Sequence, residues 1–209
     1  MKLSGLPGLM LKDLLNLRST IITLIVLLLI LVVSLISMGF IMPIYFLMII
    51  FAAILPMTSI TMDDIAKWDR YALTMPFTRK DIVRSKYVLM IMLIGSAILI
   101  SGIIFAISFY LMPENALSFW LIILISAVGL LYSSFLLPLL YKFGSEKARY
   151  IMLLPMILVG ILIGGWVVVF GDSLPENLLI YILITAAGSI CAFIASYFVS
   201  VRLYEKKEF

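Results

Sequence analysis

Five stretches of the chain hold no Asp, Glu, Lys or Arg: Ser19–Met62, Tyr87–Pro113, Asn115–Tyr141, Tyr150–Gly171 and Asn177–Val201. Short charged clusters separate them. A charged side chain is expensive in hydrocarbon, and a helix rising about 1.5 Å per residue crosses a core of about 30 Å in about 20 residues. Each run is therefore long enough to span a bilayer. The first has 44 residues, room for two spans, and Met38-Gly39-Phe40-Ile41-Met42-Pro43 is its one segment with both Gly and Pro at a suitable depth for a turn. The pattern predicts an all-α polytopic membrane protein, one transmembrane domain over 1–209. Its six spans fall at about 19–38, 42–62, 87–112, 116–141, 150–170 and 177–201.

Two polar segments carry their own patterns. In residues 1–18, Leu11, Leu14, Leu15 and Arg18 follow the i, i+3, i+4, i+7 stride, with Lys12, Asp13 and Asn16 elsewhere. This predicts an interfacial elbow helix before the first span. Residues 63–86 form a segment far longer than a membrane hairpin needs. It reads as two helices broken at Met75-Pro76-Phe77, each opened by a capping box, Thr61-x-x-Asp64 and Thr78-x-x-Asp81. In the first helix Ile65, Trp68, Ala72 and Met75 share one stripe with Tyr71 beside it, and Asp63, Lys67, Arg70 and Thr74 share another. Residues 63–75 are net acidic, which an anionic leaflet would not attract. A protein partner, anchored by exposed Trp68 and Tyr71, is the expectation. Residues 79–86 are net basic and suit lipid headgroups.

Composition sharpens this picture. The chain is 65% hydrophobic and 12% charged, against about 45–50% and about 25% in a soluble domain, which excludes a water-soluble fold. All 15 basic residues fall in the two terminal segments and the 63–86 and 142–149 loops, so one face of the predicted topology carries every one of them. By the positive-inside rule both termini are cytoplasmic. The net charge of +4 marks sidedness rather than a nucleic-acid partner. A cleavable signal peptide is not expected, because a second span follows the first at once.

The chemistry is defined largely by what is missing. The chain has no His, a single Cys191 and no Gly-Lys dipeptide, hence no phosphate-binding P-loop. No catalytic set and no metal site is expected, and no charge lies inside a span to couple ion flow. Work on a solute would need energy from a partner. Small residues recur at helical spacing in Gly188, Ala192, Ser196 and Ser200, and in Gly160-x-x-x-Gly164. Such ridges serve helix packing within the chain or a dimer interface. Pro56, Pro138 and Pro155 fall toward the cytoplasmic ends of their spans, where kinks are allowed.

The leucine-rich start, the span hairpin and the segment Met62-Asp63-Asp64-Ile65-Ala66-Lys67-Trp68 through Met75-Pro76-Phe77-Thr78-Arg79-Lys80 to Ser85-Lys86-Tyr87 together resemble small ABC-2-type transporter permeases. The resemblance in length and topology covers the whole chain. It implies a permease of the bacterial cytoplasmic membrane that dimerises with a second copy or a paralogue and binds two ABC ATPase subunits through a coupling helix. ATP and Mg would sit on those ATPases, none on this chain. Carried over residue by residue, coupling falls on Asp63, Asp64, Lys67, Trp68, Tyr71, Met75, Pro76, Phe77, Thr78, Arg79 and Lys80. The expected substrates are apolar or amphipathic, a peptide, lipid or drug; some members of the family with this compact form export amphipathic peptides of the phenol-soluble-modulin kind. The competing classes are a non-transporting scaffold or immunity protein that binds a hydrophobic peptide, and an intramembrane enzyme.

Overall fold

A computed structural model describes residues 6–38, 42–72, 74–75, 77–111, 119–151, 157 and 178–206. Among the described residues every regular element is a helix: α1 (Leu6–Ser37), α2 (Met42–Ile65), α3 (Trp68–Ala72), α4 (Arg79–Leu111), α5 (Phe119–Ile151) and α6 (Leu178–Glu205). All but α3 are long and apolar enough to cross a membrane. These five correspond to expected spans one, two, three, four and six. The remaining span, 150–170, lies almost wholly outside the described residues, and so do Gly160, Gly164, Pro155 and the turn at 39–41.

The helix boundaries differ from the sequence expectation in physically readable ways. The elbow and the first span are one helix of 32 residues. Pro7 sits in its first turn, where a missing N–H costs nothing, and no Gly or Pro lies between Leu9 and Ser37 to break it. At about 1.5 Å per residue α1 is about 48 Å long, more than the hydrocarbon core, so its first turns stand clear of it. Its inward stripe also differs: Leu9, Asp13 and Leu17 are buried, while Leu11 and Leu15 are exposed. In the same way α4 runs unbroken from the charged segment into its span. α5 does break, at Gly144, whose φ of 73° and ψ of 171° leave the helical region. A side chain there would be held in the left-handed region that glycine tolerates.

The bundle is built around α2, which packs against α1, α4 and α5, while α5 and α6 make the closest pairing. Its principal core joins Ile49, Ala53 and Met57 of α2 to Val83, Tyr87 and Met90 of α4, Leu136, Leu137 and Leu140 of α5 and Phe193 and Tyr204 of α6. Gly129 of α5 lies directly against the Ile49 side chain, leaving no room for a Cβ. Buried serines bond to carbonyls of their own helices, Ser126 to Ile122 and Ser133 to Gly129 at 2.7 Å each. Those bonds remove unpaired hydroxyls from a medium without water. Among the described residues the apolar packing of α1 is on α2 and α4, by Leu17 against Leu55 and Leu89. Its most apolar stretch is buried nowhere.

Candidate functional site

The starts of α1 and α4, the ends of α2 and α6, and α3 meet at one charged end of the bundle. α2 runs on past Met62, because Thr61 is inside the helix and its hydroxyl bonds back to the Met57 carbonyl at 3.0 Å. The expected capping box there is thus not a helix start. The helix stops at Ala66 and Lys67, whose amides bond to the carbonyls of Met62 and Asp64. Lys67 has a φ of 51°, the left-handed conformation that turns a chain away from a helix end. One turn later comes α3, which ends as the amides of Thr74 and Met75 bond to the carbonyls of Tyr71 and Ala72.

The second capping box does form. The Thr78 amide donates to Asp81 Oδ2 at 3.1 Å and the Asp81 amide donates to Thr78 Oγ1 at 3.2 Å. The chain enters this helix from a non-helical turn, so the Thr78 amide takes the Asp81 carboxylate as its partner, while the Asp81 amide is shared between the Thr78 hydroxyl and the Thr78 carbonyl at 3.0 Å. The next residue, Arg79, donates from Nη1 to the carbonyls of Tyr204 and Glu205 at 3.1 and 2.7 Å. A cation at the C-terminus of α6 satisfies its last carbonyls and complements its dipole. Lys80 reaches Glu205 at 3.7 Å in an exposed pair, which contributes little.

Beneath this surface lies an ionic cluster that the sequence reasoning missed. Lys86 Nζ donates to Asp13 Oδ1 at 2.7 Å, Ser59 Oγ at 2.7 Å and Asp63 Oδ2 at 2.5 Å, using all three of its protons. Lys12 Nζ donates to Asp63 Oδ1 at 2.6 Å and lies 3.1 Å from Asp13 Oδ1. It also stands 4.4 Å from the centre of the Trp68 ring, within cation–π range. Two cations and two carboxylates balance. Lys86, Asp13 and Ser59 are 3%, 1% and 0% exposed, so each charge depends on its partners rather than on water. The cluster joins α1, α2, α3 and α4 at one point. The signal in the sequence was Asp13 at the four-residue spacing of Leu9 and Leu17, on a stripe that would bury it.

The residues expected to couple to a partner divide into two sets. Asp63 is buried in the cluster, and Asp64 is half-buried beside a small crevice also lined by Asp69, Lys86 and Tyr141. Trp68 is half-buried against the core rather than exposed, because Lys12 covers its face. Arg79 is engaged with α6, and Phe77 is half-buried. Exposed to the outside are Ile65 at 77%, Tyr71 at 63% and Met75 at 42%, with Lys67, Arg70, Thr74, Thr78 and Lys80. Pro76 lies outside the described residues. On α6, Gly188 is exposed with open space around it and Ala192 is half-buried. Ser196 and Ser200 turn inward to share hydrogen bonds of 2.7 and 2.8 Å with the Tyr87 hydroxyl. Tyr87 also meets Phe193 and Tyr197 edge-on. Among the described residues no group of three His, Cys, Asp or Glu side chains converges to hold a metal ion.

Five apolar helices with their charges gathered at an end define a multi-pass membrane protein. Residues 8–205 match the family described as ABC-2 family transporter protein, and the chain belongs to that family. Its members are membrane subunits of transporters and work with ABC ATPase partners. Among curated proteins and among solved structures nothing matches the chain.

Proposed function

We propose that this chain is the permease of a bacterial ABC exporter, seated in the cytoplasmic membrane with both termini inside. It moves apolar or amphipathic substrates with ATP and Mg bound and hydrolysed on two separate ATPase subunits. Family membership supplies the class. The observation that carries the mechanism is the position of Ile65, Tyr71 and Met75, projecting from a short segment whose inner side is tied to the ionic cluster. An ATPase that moves this segment pulls on Trp68 and Asp63, and through Lys12 and Lys86 on the starts of α1 and α4. A buried, charge-balanced cluster transmits such a pull because breaking it is costly.

Six spans suit this reading, since α5 finishes at the charged end and α6 begins at the other, so the intervening chain has the length of the bundle to recross. A bundle of this size encloses little space, so a second copy or a paralogue completes the path, with Gly160, Gly164, Gly188 and Ala192 as candidate contacts, while Ser196 serves packing within the chain. The apolar spans favour hydrophobic peptides, lipids or drugs, the phenol-soluble-modulin peptides among them.

The test is co-expression with an ABC ATPase encoded beside it, followed by purification and measurement of ATP turnover. Wild type is expected to retain the ATPase, and Tyr71→Ala with Met75→Ala is expected to lose it while remaining folded, because both side chains are exposed. Retention and turnover unchanged by the double substitution would overturn the coupling assignment. A wild type that retains no ATPase would favour a non-transporting role.

A further inference from the structure

A groove runs along the bundle between α1, α2 and α4. Ile21, Leu24, Ile25 and Leu28 form one wall, Met48, Phe51, Ala52 and Leu55 the floor, and Leu93, Ser96, Ala97 and Ile100 the other wall. The cavity measures about 160 Å³, and among the described residues Ser96 contributes the one polar side chain in its lining. That hydroxyl already donates to the Leu93 carbonyl at 2.7 Å, so the groove offers a ligand no hydrogen-bond donor. An apolar chain is what it fits.

Three residues before Ile21, the first lining residue of α1, comes a charged group, Arg18. Arg18 is exposed and makes no ion pair or hydrogen bond among the described residues. On a helix of 3.6 residues per turn, Arg18, Ile21, Ile25 and Leu28 fall on one stripe. The guanidinium therefore tops the wall that Ile21, Ile25 and Leu28 continue. From Arg18 to Leu28 the rise is about 15 Å, half the hydrocarbon thickness. Among the other described basic side chains near the start of α1 and α4, Lys12 and Lys86 are held in the cluster, Arg79 by α6 and Lys80 by Glu205, and helical geometry puts Arg84 on the side of α4 opposite Leu93 and Ile100.

We propose that this groove is a binding site for an anionic phospholipid, with its phosphate on Arg18 and part of one acyl chain along Ile21, Ile25, Ser96 and Ala97. Charge complementarity selects the headgroup, since a guanidinium binds a phosphate through two parallel hydrogen bonds and draws negative headgroups. The apolar lining selects the tail. The site needs no ATPase, so it stands or falls separately from the exporter reading.

The test uses the full chain purified in detergent and titrated with phosphatidylglycerol or with phosphatidylcholine of the same acyl chains, read by native mass spectrometry and thermal melting. Phosphatidylglycerol is expected to be retained and to raise the melting temperature. Arg18→Gln is expected to weaken its retention about five-fold, the effect of one basic residue at a membrane surface. Ser96→Phe, which fills the groove from its exposed wall, is expected to weaken retention with Arg18 intact. Arg202→Gln, an exposed basic residue on α6, is expected to leave it unchanged. Equal retention of phosphatidylcholine, or an equal loss in Arg202→Gln, would overturn the proposal in favour of diffuse attraction. Stabilisation by inorganic phosphate alone would remove the groove from the site. A change of oligomeric state in Ser96→Phe without loss of lipid would assign the groove to a second copy.

Discussion

Lys86 is the residue on which the charged end of the bundle depends. Among the described residues it alone contacts both carboxylates and a serine, tying α4 to α1 and α2, and water reaches almost none of it. Lys86→Met fits the space but leaves Asp13 and Asp63 sharing one cation. It is expected to destabilise the protein by about 3–5 kcal/mol, seen as a lower melting temperature in detergent, whereas Arg70→Met, exposed on α3, is expected to change little. The same residue shows where the sequence was illegible. Lys86 follows three other basics in 79–86 and was counted with them as a headgroup contact, because charge alone does not reveal which member of a basic run faces inward. Asp63 shows the same: its stripe reads as polar surface, and the structure buries it against Lys86. A helical stripe gives the relative angle of residues, and it does not say which stripe the neighbouring helices cover.

At the level of elements, the two capping boxes show what a motif contributes. Thr78-x-x-Asp81 begins a helix because the chain before it is non-helical and the Thr78 amide has the Asp81 carboxylate as its partner. Thr61-x-x-Asp64 has the same letters inside a helix already running, so the amides have carbonyl partners and Thr61 turns to Met57. Thr78→Ala is expected to cost about 1 kcal/mol, and Thr61→Ala well below that, measured side by side as melting shifts. Packing between elements was less legible than their extents. Nothing in the sequence around Gly129 names its neighbour, and the structure gives it Ile49 as the side chain that requires a glycine. Gly129→Ala is expected to cost about 1–3 kcal/mol by overpacking. Ile49→Ala opens a cavity by itself, so a double-mutant cycle in which the two costs fail to add would establish the contact.

For the whole molecule, apolar runs made the fold class legible, because hydrocarbon tolerates so few sequences. Five helices lie where runs without charge were found. What the runs could not show is which helices are central. α1 holds the most apolar stretch of the three, yet α2 and α5 are enclosed and α1 faces outward along most of its length. In a membrane no hydrophobic penalty distinguishes the two situations, since lipid tails are as apolar as leucine. Partner contacts follow the same logic. The surface expected to meet the ATPase is smaller than the segment suggested, reduced to Ile65, Tyr71, Met75 and their polar neighbours, because the ionic cluster and the core occupy the rest. Lys12→Met is expected to keep the ATPase bound while uncoupling its turnover from substrate, a split between binding and activity that loss of the docking surface would not produce.

The grip of Arg79 on the carbonyls of Tyr204 and Glu205 makes the last helix and the fourth into a closed latch. Its consequence is practical for anyone attaching a reporter. Cutting the chain before Tyr204 strips Arg79 of both acceptors and removes the ring that stacks edge-on against Tyr141 at 5.4 Å. A fluorescent fusion that preserves residues through Lys206 leaves the latch shut and is expected to report the native assembly, whereas one joined at Val201 would report a bundle already opened at its charged end.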